Sequence, residues 1–149
     1  MTKAIYFDMD GTIANLYGVD GWLPMLEALD PTPYKRAKTM VDMRVLARLL
    51  NKAQARGYKI GVVSWLSKGS TPQYDIEVTR AKVEWLDKHL HSVVWDEVHI
   101  VEYGTPKHNI VDYPNGILFD DEVNNRNMWT GTAYDVQDIV EVIRGLLCE

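Results

Sequence analysis

Asp8 and Asp10 stand one residue apart in the stretch FDMDGT at positions 7–12, directly after the apolar run AIYF. Like charges at the end of a buried segment are costly unless a cation or hydrogen-bond donors hold them. A second acidic pair, Asp120 and Asp121, closes the apolar run GILF, and Ser64 closes IGVV. Lys107 follows the run EVHIV after the short stretch YGTP. Carboxylate oxygens are hard donors, and magnesium takes a few of them, keeps several waters and shares its remaining positions with phosphate. Asp8, Asp10 and Asp120 therefore form an expected site for Mg2+. Zinc fits less well: the four histidines include no H-x-x-x-H pair, and Cys148 is the single cysteine. The calcium loop of an EF-hand needs glycine at position six, whereas Gly11 stands at position four counted from Asp8.

A carboxylate facing a phosphate beside such a cation can act as a nucleophile and form an aspartyl-phosphate. A second carboxylate two residues on can protonate the leaving group and then activate water. Hydroxyl and ammonium groups would hold the phosphoryl oxygens and offset their charge. Gly11 would let the backbone turn close to the phosphate and present N–H groups.

The elements that must position these residues alternate. Short apolar runs at 4–8, 59–64, 97–101 and 116–120 read as strands covered on both faces. Residues 42–56 carry Met43, Leu46, Leu50 and Ala53 on one helical face, with Gly57 placed to stop the helix. Residues 75–90 carry Ile76, Val83, Leu86 and Leu90 on a stripe, with Pro72 near the start. A final helix is expected from about Asp135, its N-cap, with Val136, Ile139, Val140, Ile143, Leu146 and Leu147 at helical spacing. This alternation predicts one α/β domain over 1–149, a three-layer α/β/α, Rossmann-like, doubly wound parallel sheet with right-handed crossovers. Ligands in such folds bind beyond the carboxyl ends of the strands. The candidate residues fall there, on four separate segments.

FDMDGT, Ser64 after IGVV, Lys107 and the LFDD pair resemble, in order, the four motifs of the haloacid dehalogenase superfamily of phosphohydrolases. The resemblance runs from residue 4 to about residue 125. It implies that Asp8 is the nucleophile and a magnesium ligand. Asp10 would be the general acid/base and would bind the metal through its backbone carbonyl. Thr12 and Ser64, with Gly11, would contact the phosphate, and Lys107 would offset the charge on nucleophile and phosphoryl group. Asp120 would complete the magnesium shell, with Asp121 a direct or water-mediated partner. Lys107 lies thirteen positions before Asp120, a short interval, and Lys68 is the rival cation. Family members commonly carry a sizeable cap after the first motif, whereas only a minimal insert, about 14–40, is available here.

In this family the insert sets substrate choice. The region holds Tyr17, Trp22, Tyr34, Lys35 and Arg36, and Trp65 follows Ser64. Aromatic faces beside a phosphate site suit a nucleobase, whose stacking contributes ~1–3 kcal/mol. Tyr17, Trp22 and Trp65 are the candidate substrate contacts; for Trp22, Trp65 and Trp129, core packing is the equal alternative. Trp85 reads as core and Trp95 as packing under a loop. The first motif, the short insert and ILFDD are similar to the 5′(3′)-deoxyribonucleotidase branch, which implies release of phosphate from nucleoside monophosphates. An open-site phosphatase acting on a phosphoprotein or a nucleic-acid end is the alternative, and a non-catalytic phosphate-binding module a third. A net charge of −5 without a basic run predicts no extended nucleic-acid surface. The lone cysteine and the absence of a signal-peptide pattern or a long apolar run predict a cytoplasmic protein without membrane contact. Its expected partner is a small phosphorylated substrate, with the chain a monomer or a homodimer.

Overall fold

The computed structural model describes residues 2–148. Chain order begins with β1 (Ala4–Phe7), the short β2 (Ala14–Asn15), α1 (Trp22–Glu27), α2 (Thr32–Arg36) and β3 (Lys38–Thr39). It continues with α3 (Met43–Ala55), β4 (Lys59–Trp65), α4 (Pro72–His89) and β5 (Glu97–Val101). It closes with β6 (Ile117–Phe119), α5 (Val123–Met128), β7 (Thr132–Tyr134) and α6 (Ile139–Leu147). No helix among the described residues is long and apolar enough to cross a membrane.

Five parallel strands form one sheet in the order β5-β4-β1-β6-β7. The chain moves outward from β1 through β4 to β5, then crosses back to β6 and β7. The order therefore reverses between β1 and β6, whose carboxyl ends carry Asp8 and Asp120. Alternation along the strands sorts the core. Ile5, Phe7, Ile60, Val62 and Phe119 face one side, where Leu46, Leu50, Trp85, Leu86, Ile139 and Ile143 cover them. Ala4, Tyr6, Val63 and Leu118 face the other, where Val111, Tyr113 and Trp129 lie. The second layer is thus built from the segment that carries Val111 and Tyr113 and from Trp129, just after α5, rather than from long helices.

The expected strands are present, and β7, Thr-Ala-Tyr, is a fifth that its length concealed. Both long helices begin at capping residues. Asp42 accepts hydrogen bonds from the amides of Arg44 and Val45 (3.0 and 3.2 Å), and Thr71 accepts from Tyr74 (3.2 Å) ahead of Pro72. The stripe expected on α4 needs correction. Ile76 and Val83 are exposed, and the buried face is Tyr74, Val78, Ala81, Lys82, Trp85 and Leu86. Leu86 and Leu90 are buried as expected, but counting aliphatic residues set the stripe off-centre, because the buried face also includes aromatic rings and a charged residue. At the C-terminus Asp135 caps a 3-10 turn, Val136–Asp138, and α6 proper starts at Ile139.

The segment between β1 and α3 forms a small subdomain. β2 and β3 pair antiparallel at its base, and α1 and α2 stand above them. It is seated on α4 and neighbouring residues by polar contacts: Tyr34 Oη with Ser67 Oγ (2.5 Å), Tyr74 Oη to the Asp30 carbonyl (2.9 Å) and Trp85 Nε1 to the Ala37 carbonyl (2.8 Å).

Candidate active site

Asp8 leaves β1 with its amide donating to the Phe119 carbonyl of β6 (2.9 Å), so the sheet itself sets its position. One carboxylate oxygen accepts from Lys107 Nζ (3.0 Å) and the other from the Thr12 hydroxyl (3.0 Å). That hydroxyl in turn accepts from the Asp121 amide (3.1 Å), tying the first acidic motif to the second. Lys107, carried on a short 3-10 turn (Lys107–Asn109) and 5 % exposed, also reaches Asp120 Oδ2 (2.7 Å). Lys68 lies elsewhere, exposed at the cavity mouth with its ammonium 6.0 Å from the Tyr103 ring centre. Of the two rival lysines, Lys107 is the one that meets the carboxylates.

Gly11 has φ +82°, and a side chain there would run into the Asp121 carboxylate and the Tyr17 ring. Its amide donates to the Ala14 carbonyl (2.8 Å), and those of Thr12 and Ile13 to the Met9 carbonyl. The glycine therefore supplies the turn and the clearance, while its N–H is used within the loop.

Asp8, Asp120 and Asp121 each offer a carboxylate oxygen, all within 4.8 Å of one another. Burial, and then the Asp8 charge, push the carboxyl of Asp120 up to about 6 and that of Asp121 up to about 8. Burial works against the charge on Lys107, but Asp8 and Asp120 together outweigh it and hold its pKa above the ordinary lysine value. Three acids beside one ammonium, which bonds only Asp8 and Asp120, are short of positive charge, and their hard oxygens suit Mg2+. The side chain of Asp10 stands apart from this triad. Its Oδ2 accepts from Lys82 Nζ (2.9 Å), and burial raises its pKa, against the opposing pull of Lys82.

Ser64, at the end of β4, is fully buried, and its Oγ accepts from Lys82 Nζ (2.8 Å). Lys82 is the residue that sequence reasoning missed. The signal was available in the 74, 78, 81, 82, 85 spacing, which places a lysine on the buried stripe of α4. Asn125 on α5 donates to Asp120 Oδ2 (3.2 Å) and lines the cavity together with Asn124. Arg126 holds the Asp120 carbonyl (3.0 Å).

A cavity of about 720 Å³ opens over these groups, with Asp8, Asp10, Lys107 and Asp121 on its floor. The insert contributes Tyr17, Trp22, Leu23, Leu26 and Leu29, and the strand end at Trp65 and the loop at Tyr103 contribute the facing rings. Tyr17 and Trp22 meet edge to face at 4.9 Å, and Trp65 and Tyr103 pack at 5.0 Å, with Lys107 Nζ 5.5 Å from the Trp65 ring. Trp129 lies away from this cavity's wall. It packs against Tyr6 in the second-face core (5.7 Å) and donates to the Gly116 carbonyl (2.8 Å).

No protein-family model and no curated protein matches the chain. Solved structures do. A D,D-heptose 1,7-bisphosphate phosphatase from Burkholderia thailandensis aligns over 99% of this chain and 100% of its own, with a TM-score of 0.60 at 11% identity. A D,D-heptose 1,7-bisphosphate phosphatase from B. bronchiseptica, complexed with magnesium and phosphate, aligns over 99% of both chains, with a TM-score of 0.60 at 13% identity. A protein assigned as a HAD-like phosphatase from Mesorhizobium loti aligns over 97% of this chain and 87% of its own, with a TM-score of 0.58 at 16% identity. The likeness is one of fold: the chain shares the Rossmann-like α/β architecture of these solved structures.

Proposed function

We propose that the protein is a magnesium-dependent phosphomonoester hydrolase that works through an aspartyl-phosphate on Asp8. The observation that carries this reading is the meeting of Asp8, Lys107, Asp120 and Asp121 at the reversal of strand order, with Asp10 beside them on the same cavity. Asp8, Asp120 and Asp121 would hold Mg2+, whose charge would draw the phosphoryl group to Asp8 and offset its oxygens. Lys107 and Thr12 fix the two oxygens of Asp8, so the nucleophile is aimed before substrate arrives. Asp8 attacks phosphorus, the ester P–O bond breaks, and the leaving oxygen takes a proton from Asp10. Asp10, now a carboxylate, takes a proton from the water that attacks the phosphorus of the aspartyl-phosphate. Inorganic phosphate leaves and Asp8 is restored. The raised pKa of Asp10 suits the first of these duties.

A nucleoside monophosphate or a similar small phosphorylated metabolite is the substrate we favour. The cavity lies within the range of about 300–1,000 Å³ usual for small-molecule sites, and two aromatic pairs line it. Tyr17, Trp22 and Trp65 would contact the base. A cytoplasmic setting belongs to this proposal and rests on the single cysteine.

The test is hydrolysis of a panel of nucleotides, sugar phosphates and phosphopeptides with and without Mg2+. Preference for nucleotides is expected; preference for sugar phosphates over all of them would refute the substrate class. Asp8→Asn should abolish turnover while melting close to the wild-type temperature. Undiminished activity in that variant would remove Asp8 from its role.

A further inference from the structure

We propose that Lys82 is a positioning residue for the acid–base step, clamping the Asp10 carboxyl so that its free oxygen faces the cavity. The inference rests on the phosphohydrolase reading above and adds a second lysine, distinct from Lys107, to its machinery. Lys82 projects from α4 into the core and is 1 % exposed. Its ammonium has three hydrogens and three acceptors: Asp10 Oδ2 at 2.9 Å, Ser64 Oγ at 2.8 Å and the Trp65 carbonyl at 2.7 Å. One residue of a crossover helix thus joins the loop after β1 to the end of β4, immediately beside the cavity. The Tyr34 ring of the insert lies 5.2 Å from the same ammonium.

A packing role alone does not account for this choice. Taking an ammonium out of water is costly, and apolar residues of similar volume generally serve a buried position at least as well. The neighbours on the stripe, Val78, Ala81, Trp85 and Leu86, show what packing there uses. The terminal torsion of an aspartate is broad, so an unclamped carboxyl would sample many orientations. With Oδ2 held by Lys82, the carboxyl plane is set. Oδ1 makes no hydrogen bond among the described residues, and Asp10 lines the cavity. Oδ1 is therefore the oxygen placed to carry the proton to the leaving group. Lys107 cannot perform this task, since its bonds go to Asp8 and Asp120.

The test exploits leaving-group chemistry. An alkyl phosphate needs a proton as its ester bond breaks, whereas p-nitrophenyl phosphate departs as a stable phenolate with little help. Since kcat/KM reports the steps through ester cleavage, Lys82→Met should lower it for the best alkyl phosphate of the panel about tenfold or more beyond its effect on the aryl ester. A merely structural role lowers both equally, and that result would overturn the proposal. Leaving Asp10 without its partner could prevent folding, so Lys82→Met is also placed in an Asp10→Asn background, where no carboxylate is left unpaired. There it should change the alkyl-to-aryl ratio by no more than about twofold. A full further loss, or a double variant that does not fold, would assign Lys82 to the fold instead. Wild-type protein inactive on both esters in Mg2+ would refute the hydrolase reading itself and this role with it. An active wild type with an undiscriminating Lys82→Met variant would refute this role alone.

Discussion

At the scale of the residue, the two carboxyls beside Asp8, those of Asp120 and Asp121, make stability depend on pH in an unusual direction. Asp121, pushed up to about 8 by burial and then by the Asp8 charge, holds a proton in the folded protein that the unfolded chain releases near the ordinary aspartate value of about 3.9. Such a group favours the folded state fully below that value, and its contribution is lost as pH rises through about 8. Asp120, at about 6, acts in the same sense over a narrower window. A cation held by the triad would take the place of those protons. In chelator the melting temperature should therefore fall between pH 5 and pH 8.5, and Mg2+ should stabilise far more at the upper end. Parallel pH profiles with and without Mg2+ would show that these carboxyls do not hold the metal.

At the scale of the element, the turn that ends α1 joins stability to substrate contact. The Asp30 amide donates to the Met25 carbonyl (2.8 Å) and the Leu29 amide to the Leu26 carbonyl (3.0 Å), the pattern of a Schellman cap. Glycine usually occupies the left-handed position of that cap; here it is Leu29, at φ +58°. A branched side chain in this conformation costs about 1 kcal/mol. Leu29 is half-exposed and lines the cavity, so what it stabilises in the fold is small and its apolar surface is turned to the cavity. We expect Leu29→Gly to leave stability unchanged or raise it by up to about 1 kcal/mol in urea titration, while raising KM for base-bearing substrates. An unchanged KM would show that this part of the insert does not touch substrate.

At the scale of the whole molecule, the thinly covered face of the sheet depends on a buried polar network. Tyr6 Oη donates to Glu97 Oε2 (2.5 Å), and Glu97 Oε1 accepts from the Asp112 amide (3.0 Å) and pairs with His99 Nε2 (2.8 Å). The Tyr113 amide closes the circuit on Tyr6 Oη (3.1 Å). Gly61 makes room, since a side chain there would strike the Tyr6 ring. This network joins β1 and β5 to the segment that carries Lys107. Glu97→Ala should cost about 1–3 kcal/mol by leaving buried donors unsatisfied. It should also speed amide exchange across residues 107–113 and lower activity through Lys107. Destabilisation with exchange at 107–113 unchanged would show that the network serves the sheet alone.

What was legible in the sequence was what local pattern encodes. An apolar run followed at once by an acid places Asp8 and Asp120 at strand ends whatever the rest of the chain does, and strand–helix alternation brings those ends to one edge. The cap at Asp135 was equally local, its side chain accepting from the amide of Val136, although the turn it caps is a 3-10 turn that precedes α6. The three-residue β7 and the two-residue β2 and β3 are too short to show a period, and only pairing with neighbours makes them strands. Which face of α4 is buried was undecidable by counting aliphatics, because a buried lysine is tolerable only when distant partners take all its hydrogens. The sequence by itself determined the acids, the order of the four longer strands and the long helices, and the sheet edge where the acids gather. The tertiary structure alone decided that Lys107 meets Asp8, that Lys82 meets Asp10, and that Trp129 packs in the core while Trp22 and Trp65 line the cavity. Those outcomes depend on contacts between segments far apart in the chain, and no local spacing records them.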